Sequence, residues 1–207
     1  MTDGETTPAE TDQSTGERLL AGAAVLFREQ GYAGTTTRQL AALVGIQNAS
    51  LYHHVGGKED LLYRLCMDTL DSVAATFTSA VAAGTDPLET LGTVARGYLD
   101  QALNDRDRHA TMLTEIRSLS PQRQAEVIGR RDKNVAIVQE LVAKAQRAGQ
   151  VRKDIDAKYL TLALFNLLNW SIFWFNPEGE LDHTAIGNLL WTVFSDGAAK
   201  GDSKRKR

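Results

Sequence analysis

Between Thr35 and Asp60 the run TTTRQLAALVGIQNASLYHHVGGKED specifies two short helices joined by a tight turn. Leu40, Ala41, Leu43 and Val44 recur at helical spacing behind three hydroxyl residues, Thr35 to Thr37. Thr36 and Gln39 stand at the spacing of a capping box, in which each satisfies an unpaired backbone N–H of the helix start. Gly45 stops that helix, because glycine accepts the left-handed conformation a helix end needs. Ile46 is apolar and placed to pin the turn against the core. Asn48 is expected to cap a second helix, Ala49 to His54, which Gly56-Gly57 ends. Two helices around a short glycine-containing turn form the helix-turn-helix pattern.

The second helix carries the chemistry of a DNA reader. Gln47, Asn48 and Ser50 lie at its N-terminal end, where a recognition helix meets base edges. Amide side chains bond bidentately to adenine, and serine serves either groove partner. Ala49 is small enough for close approach. Tyr52, His53 and Lys58 carry donors suited to phosphate oxygens, which position a protein without reading sequence. A helical hairpin with a merely polar surface has the same composition, and the residues alone leave both readings open. Charge does not decide between them. Residues 12–64 hold Arg18, Arg28, Arg38, Lys58 and Arg64 against Asp12, Glu17, Glu29, Glu59 and Asp60, a sum of zero. DNA-binding domains usually show a basic footprint, so modest nonspecific affinity is expected.

The stretch Gly31 to Leu62 resembles the DNA-binding domain of TetR/AcrR-family transcriptional regulators. The matching elements are Gly31-Tyr32, Thr35-Thr36-Thr37, Leu40-Ala41, Gly45-Ile46, Leu51-Tyr52-His53-His54 and Lys58-Glu59. Two departures stand out: Val55 replaces a usual aromatic residue, and Gly56-Gly57 replaces a Pro/Ser-type pair. The resemblance implies a double-stranded DNA operator as partner. The expected contacts are Thr35, Thr36, Thr37, Arg38, Gln47, Asn48, Ala49, Ser50, Tyr52, His53 and Lys58.

The chain has 207 residues, 43% of them hydrophobic, enough for one large domain or two small ones. Its single cysteine, Cys66, excludes an internal disulfide and suits a reducing cytoplasm. The first eighteen residues are polar and acidic, so no secretory leader is expected. The longest apolar run, Tyr159 to Phe175, is broken by Asn166, Asn169 and Ser171 and sits at the short limit for a membrane span. A buried soluble helix is the better reading, and no membrane partner is expected.

Read in order, the chain is all-α with about nine helices. Residues 1–15 are polar and read as a disordered tail. Residues 16–57 form the helix-turn-helix domain. Its first helix, Gly16 to Gln30, has an apolar face of Leu19, Leu20, Ala23, Ala24 and Phe27 and ends at Gly31. Residues 58–197 form an effector-binding and dimerisation domain. Its helices are predicted over Lys58 to Ala83, Pro87 to Leu103, His109 to Leu119, Gln122 to Ala148, Tyr159 to Phe175 and Asp182 to Ser195, with a charged turn from Asn104 to Arg108. Residues 198–207 are a basic tail.

The Tyr159–Phe175 helix is apolar on nearly all sides and must be buried all round. With one helix left to cover it, it calls for a second subunit. An antiparallel helix pair from each protomer makes a four-helix bundle. Leu164, Leu167, Leu168, Trp174, Leu190, Trp191 and Phe194 are the expected homodimer contacts.

No nucleophile elbow, phosphate loop, paired-carboxylate framework or metal-ligand spacing is present, so no enzyme, cofactor or metal is expected. The family resemblance implies a small-molecule effector pocket. Its candidate walls are Phe77, Tyr98, Met112, Ile116, Trp170 and Phe173, each of which also reads as plain core. The second half of the chain also looks like members that respond to acyl-coenzyme A thioesters. The similarity lies in Glu115-Ile116-Arg117-Ser118-Leu119, Arg131-Asp132 and Trp174-Phe175-x-Pro-x-Gly. The phosphates of such a ligand need cations, and Arg117, Arg123, Arg130 and Arg131 are available, although the helix carrying most of them has a solvated face of the same composition. A sensor of hydrophobic drugs is the competing effector class. A helical interaction protein without DNA binding is the competing function. The leading expectation is a cytoplasmic, dimeric repressor released from a palindromic operator by its effector.

Overall fold

The computed structural model describes residues 8–198, with the backbone alone described for 8–14. The expectations for residues 1–7 and 199–207 lie outside the described residues. Nine α-helices and no β-strand form among the described residues. They are α1 (Pro8–Gly34), α2 (Thr37–Leu43), α3 (Asn48–His54), α4 (Lys58–Ala83), α5 (Pro87–Asn104), α6 (Arg106–Glu115), α7 (Pro121–Arg147), α8 (Ala157–Trp174) and α9 (His183–Ala198).

Several boundaries differ from the pattern-based expectation; α6, for one, ends at Glu115 and not at Leu119, because a short 3-10 turn, Ile116–Ser118, takes over there. α1 starts at Pro8, ahead of Gly16, because proline suits a first helical turn and the polar residues behind it leave no apolar period to read. Its regular helix still breaks at Gly31, where φ is 75°. α3 starts at Asn48, with Gln47 as its N-cap. The charged turn from Asn104 to Arg108 contracts to Asp105, and Arg106 already begins α6. A carboxylate in a first helical turn meets the positive end of the helix dipole, and Asp107 supplies it.

The chain divides into two compact units. Among the described residues, 8–69 and 107–128 make one, and 70–106 and 129–198 make the other. In the first unit, α1, α2 and α3 pack on each other, and Leu19, Ala23, Phe27, Leu40, Leu51, Leu61, Leu65 and Cys66 are fully or almost fully buried. Burial pushes the Cys66 thiol up to about 12, which suppresses the reactive thiolate near neutral pH.

In the second unit, α5 lies against α9 and α8. Asp86 caps α5 by accepting from the Leu88 and Glu89 N–H groups at 3.0 and 2.9 Å, ahead of Pro87 in the first turn. Gly92 lets α5 approach α9 closely, since a Cβ there would come within 2.8 Å of the Trp191 ring. Phe77, Tyr98 and Phe165 form an aromatic cluster with centroid separations of 6.0, 6.5 and 5.6 Å. Leu160, Leu164, Leu168 and Ile172 turn one stripe of α8 inward. Tyr159, Leu162, Trp170, Phe173 and Trp174 leave the opposite stripe in solvent, and Leu189 and Val193 of α9 are exposed as well. No described helix is long and apolar enough to cross a membrane.

Candidate nucleic-acid interface

α2 is held at both ends by the groups its sequence calls for. The Gln39 N–H donates to Thr36 Oγ1 at 3.2 Å, and the Thr36 N–H donates to Gln39 Oε1 at 2.8 Å, completing the capping box. At the other end Gly45 takes φ 76°, a conformation that costs other residues a steric penalty. Its N–H donates to Ala42 O at 3.2 Å, and the Ile46 N–H to Ala41 O at 2.9 Å, the paired bonds of a Schellman turn. Arg18 Nη2 donates to Val44 O at 2.7 Å, so a cation from α1 sits at the negative end of α2. Arg18 is not among the predicted site residues; a lone arginine next to an acidic neighbour gives no local sign of a carbonyl 26 positions away.

The turn presents α3 outward. Leu51 and Val55 are buried and anchor it. Gln47, Asn48, Ala49, Tyr52 and His53 are exposed, and Ser50 is half-buried. Gln47 is the N-cap and makes no side-chain capping bond, and Asn48, the first residue of α3, is exposed. Arg38 and Thr36 are also exposed, and Thr37 is half-buried. Thr35 is different: it is 1% exposed, and its hydroxyl donates to Gly31 O at 2.9 Å. It closes the bend after α1 and offers no surface for a DNA contact.

Three consecutive charged residues open α4, and all three are engaged. Lys58 Nζ donates to Tyr32 O at 2.8 Å and to Thr35 O at 2.9 Å, and lies 4.1 Å from the centroid of the Tyr32 ring. An ammonium has three N–H groups, so two of them are committed to these carbonyls. Glu59 Oε1 accepts from the Ser120 N–H at 3.0 Å. The bonds from the Ser120 backbone and side chain hold the Glu59 carboxyl below its ordinary range. Asp60 accepts from Arg123 Nη2 at 3.1 Å and from the Gly56 N–H at 3.3 Å. Burial, then the Glu59 charge, raise the Tyr32 phenol.

The predicted effector residues are divided between the two units. Met112, Ile116, Arg117 and Arg123 belong to the first; Phe77, Tyr98, Arg130, Arg131, Trp170 and Phe173 belong to the second. Phe77 and Tyr98 are buried together, with the Tyr98 hydroxyl donating to Asn169 Oδ1 at 2.5 Å. Met112 is buried and Ile116 half-buried. Trp170 is 67% exposed and stacks on exposed Phe173 at 5.5 Å, so these two are surface residues and not pocket walls. Arg123, Arg130 and Arg131 pair with Asp60, Asp71 and Asp132, while Arg117 is exposed. A cleft of about 570 Å³ in the first unit is lined by Glu17, Arg18, Leu20, Ala21, Asp68 and Arg108, where two cations offset two anions. None of the predicted residues lines it.

The expected dimer contacts also need correction. Leu164, Leu168, Leu190 and Phe194 are buried within their own chain, on the stripe that meets its core. Leu167 and Trp191 are half-buried, and Trp191 packs toward Gly92. Only Trp174 of that set is exposed. The free apolar face is instead Tyr159, Leu162, Trp170, Phe173, Trp174, Leu189 and Val193.

The architecture defines a helix-turn-helix regulator with a second, helical unit. A family profile for bacterial regulatory proteins of the tetR family matches residues 19–65, and one for the tetracyclin repressor-like C-terminal domain matches residues 84–198. The chain belongs to the TetR family of DNA-binding transcription regulators. It is 27% identical over 197 residues to the HTH-type transcriptional repressor KstR2 of Mycolicibacterium smegmatis, covering 91% of this chain and 93% of the relative. The crystal structure of the TetR-family regulator PfmR from Thermus thermophilus superposes with a TM-score of 0.81 at 30% identity, covering 88% of this chain and 100% of that one. AibR, solved in complex with isovaleryl coenzyme A and operator DNA, gives a TM-score of 0.78 at 25% identity, over 86% and 97% of the two chains.

The intramolecular bonds of Lys58 make a prediction about the free protein. Lys58→Ala should lower its stability by about 1–2 kcal/mol in urea melts without DNA, as expected for lost hydrogen bonds from a charged donor. Unchanged stability would mean that these two bonds contribute nothing net to the fold.

Proposed function

We propose that this protein is a homodimeric repressor that binds a palindromic operator through α3 and is released by an acyl-coenzyme A thioester. The observation that carries the DNA reading is the exposed set Gln47, Asn48, Ala49, Tyr52 and His53 on a helix anchored by Leu51 and Val55. In this reading Asn48 and Gln47 read base edges, whereas Arg38 and the remaining N–H of Lys58 hold phosphates. Asn48→Ala should change operator preference at a cost of about 1–3 kcal/mol. Arg38→Ala should weaken all sequences alike and lower the salt slope by about one. A gel-shift series over salt concentration measures both.

The second copy covers the outward stripe of α8 and α9. Two recognition helices about 34–36 Å apart then meet successive major grooves. Trp170→Glu should convert the dimer to monomer in light scattering and abolish operator binding with it, because it places a charge in the apolar contact. A dimer that survives this substitution moves the interface elsewhere.

The effector class is supported by the likeness to AibR, whose structure holds isovaleryl coenzyme A and operator DNA, and by the Glu115–Leu119, Arg131-Asp132 and Trp174–Gly179 similarities. Arg123 and Arg130 already face carboxylates, so exposed Arg117 is the first candidate for a ligand phosphate. Acyl-coenzyme A should weaken the operator complex by about 5–150-fold, the usual span of coupling between two sites. The free acid should not, and Arg117→Glu should lose the response while binding DNA normally. Release by a hydrophobic drug and not by the thioester would replace this effector class.

A further inference from the structure

We propose that the α6–α7 corner is a working part of the DNA-reading head, and that Glu59 and Asp60 are positioning residues that aim α3 through it. The inference rests on the operator-binding reading above. Its starting point is the composition of the first unit. Residues 107–128 cluster with residues 8–69, although α5 and half of α4 intervene in the chain.

Two sets of bonds hold the corner there. On the α1 side, the Thr111 hydroxyl donates to Ala24 O at 3.1 Å in a buried position, and Arg28 pairs with Asp107. On the α4 side, Ser120 immediately precedes α7, and its carbonyl accepts from the Gln124 N–H at 2.8 Å. Its own N–H is taken by Glu59, which places a carboxylate at the positive end of α7. One turn further on, Arg123 bonds Asp60 and lies 4.9 Å from the Tyr63 ring, whose hydroxyl donates to Glu126 at 2.6 Å. Asp60 also accepts from the Gly56 N–H, two residues beyond the end of α3. A continuous line of bonds therefore runs from α7 through Asp60 to the exit of the recognition helix. Glu59 extends the same anchorage beside Lys58, which holds the loop between α1 and α2.

These residues need not touch DNA to matter for binding it. α3 has seven residues, too few to hold a direction alone, and its exit segment is bonded to the corner. Releasing the corner leaves every exposed α3 side chain present but less well aimed.

Ser120→Pro is the sharpest test. It deletes the N–H that Glu59 accepts, and Leu119 already has φ −78° and ψ 152°, the conformation that precedes a proline. Full-length, ligand-free variants are titrated against the operator over a salt series, with amide hydrogen exchange followed across residues 48–65. Ser120→Pro and Glu59→Ala should weaken binding about tenfold, within the range of ordinary coupling, with an unchanged salt slope. Glu59→Gln keeps the acceptor oxygen and should stay near wild type. Asp60→Arg should lose affinity, and the exchange Asp60→Arg with Arg123→Asp should regain it. Affinities of Ser120→Pro and Glu59→Ala equal to wild type overturn the proposal. So does a lower salt slope, which marks a direct phosphate contact. If wild-type protein fails to retard the operator, the DNA reading has failed, and exchange then decides the positioning role. Faster exchange from Gly56 to Leu61 in Ser120→Pro sustains it, and unchanged exchange ends it.

Discussion

Lys58, Glu59 and Asp60 are consecutive, yet each holds a different element of the fold. Lys58 takes the carbonyls that close the α1–α2 loop, Glu59 the N-terminus of α7, and Asp60 both Arg123 and the backbone just past α3. In the first turn of a helix, side chains leave at about 100° intervals, so three successive charges reach in three directions. Bonds with an ionised partner are about twice as strong as neutral ones. α2 and α3 have seven residues each, below the length at which isolated helices persist in water. Their arrangement therefore depends on what they are tied to, and much of that tying passes through one turn of α4.

The helix-turn-helix was legible because its signals are local. Thr36 and Gln39 are three residues apart, and Gly45 sits where the backbone needs φ > 0. The α4 bounds, Lys58 to Ala83, were legible because no proline or glycine interrupts an apolar period. The roles of Lys58 and Arg18 were not. Their acceptors are backbone carbonyls 23 to 26 residues away, and no residue type announces a carbonyl. Asn48 misled for a related reason: it is a good cap, but the geometry of the turn assigns the cap to Gln47 and leaves Asn48 exposed.

The second unit shows the opposite limit. α8 is so uniformly apolar that its pattern carries no phase. Burial on every side was readable, but which stripe meets the protein's own core was not. Leu164 and Leu168 turn out to serve the chain itself, whereas Trp170 and Phe173, expected in a pocket, lie in solvent. Only the packing of α5, α8 and α9 supplies that phase. Phe77 and Tyr98 were similarly ambiguous, since rings that line a ligand and rings that fill a core have the same spacing.

In the proposed dimer, the outward stripe of α8 and α9 makes abundance a structural variable. Apolar surface in water is unfavourable by about 25 cal/mol for each Å², and two tryptophans contribute to it here. A cover supplied by a second copy stabilises by mass action, so it weakens with dilution in a way that an internal core does not. If the proposed dimer forms, this sets a lower limit on useful concentration. Below that limit a chain would lose, in the same step, the shelter for its tryptophans and the second helix with which to read DNA.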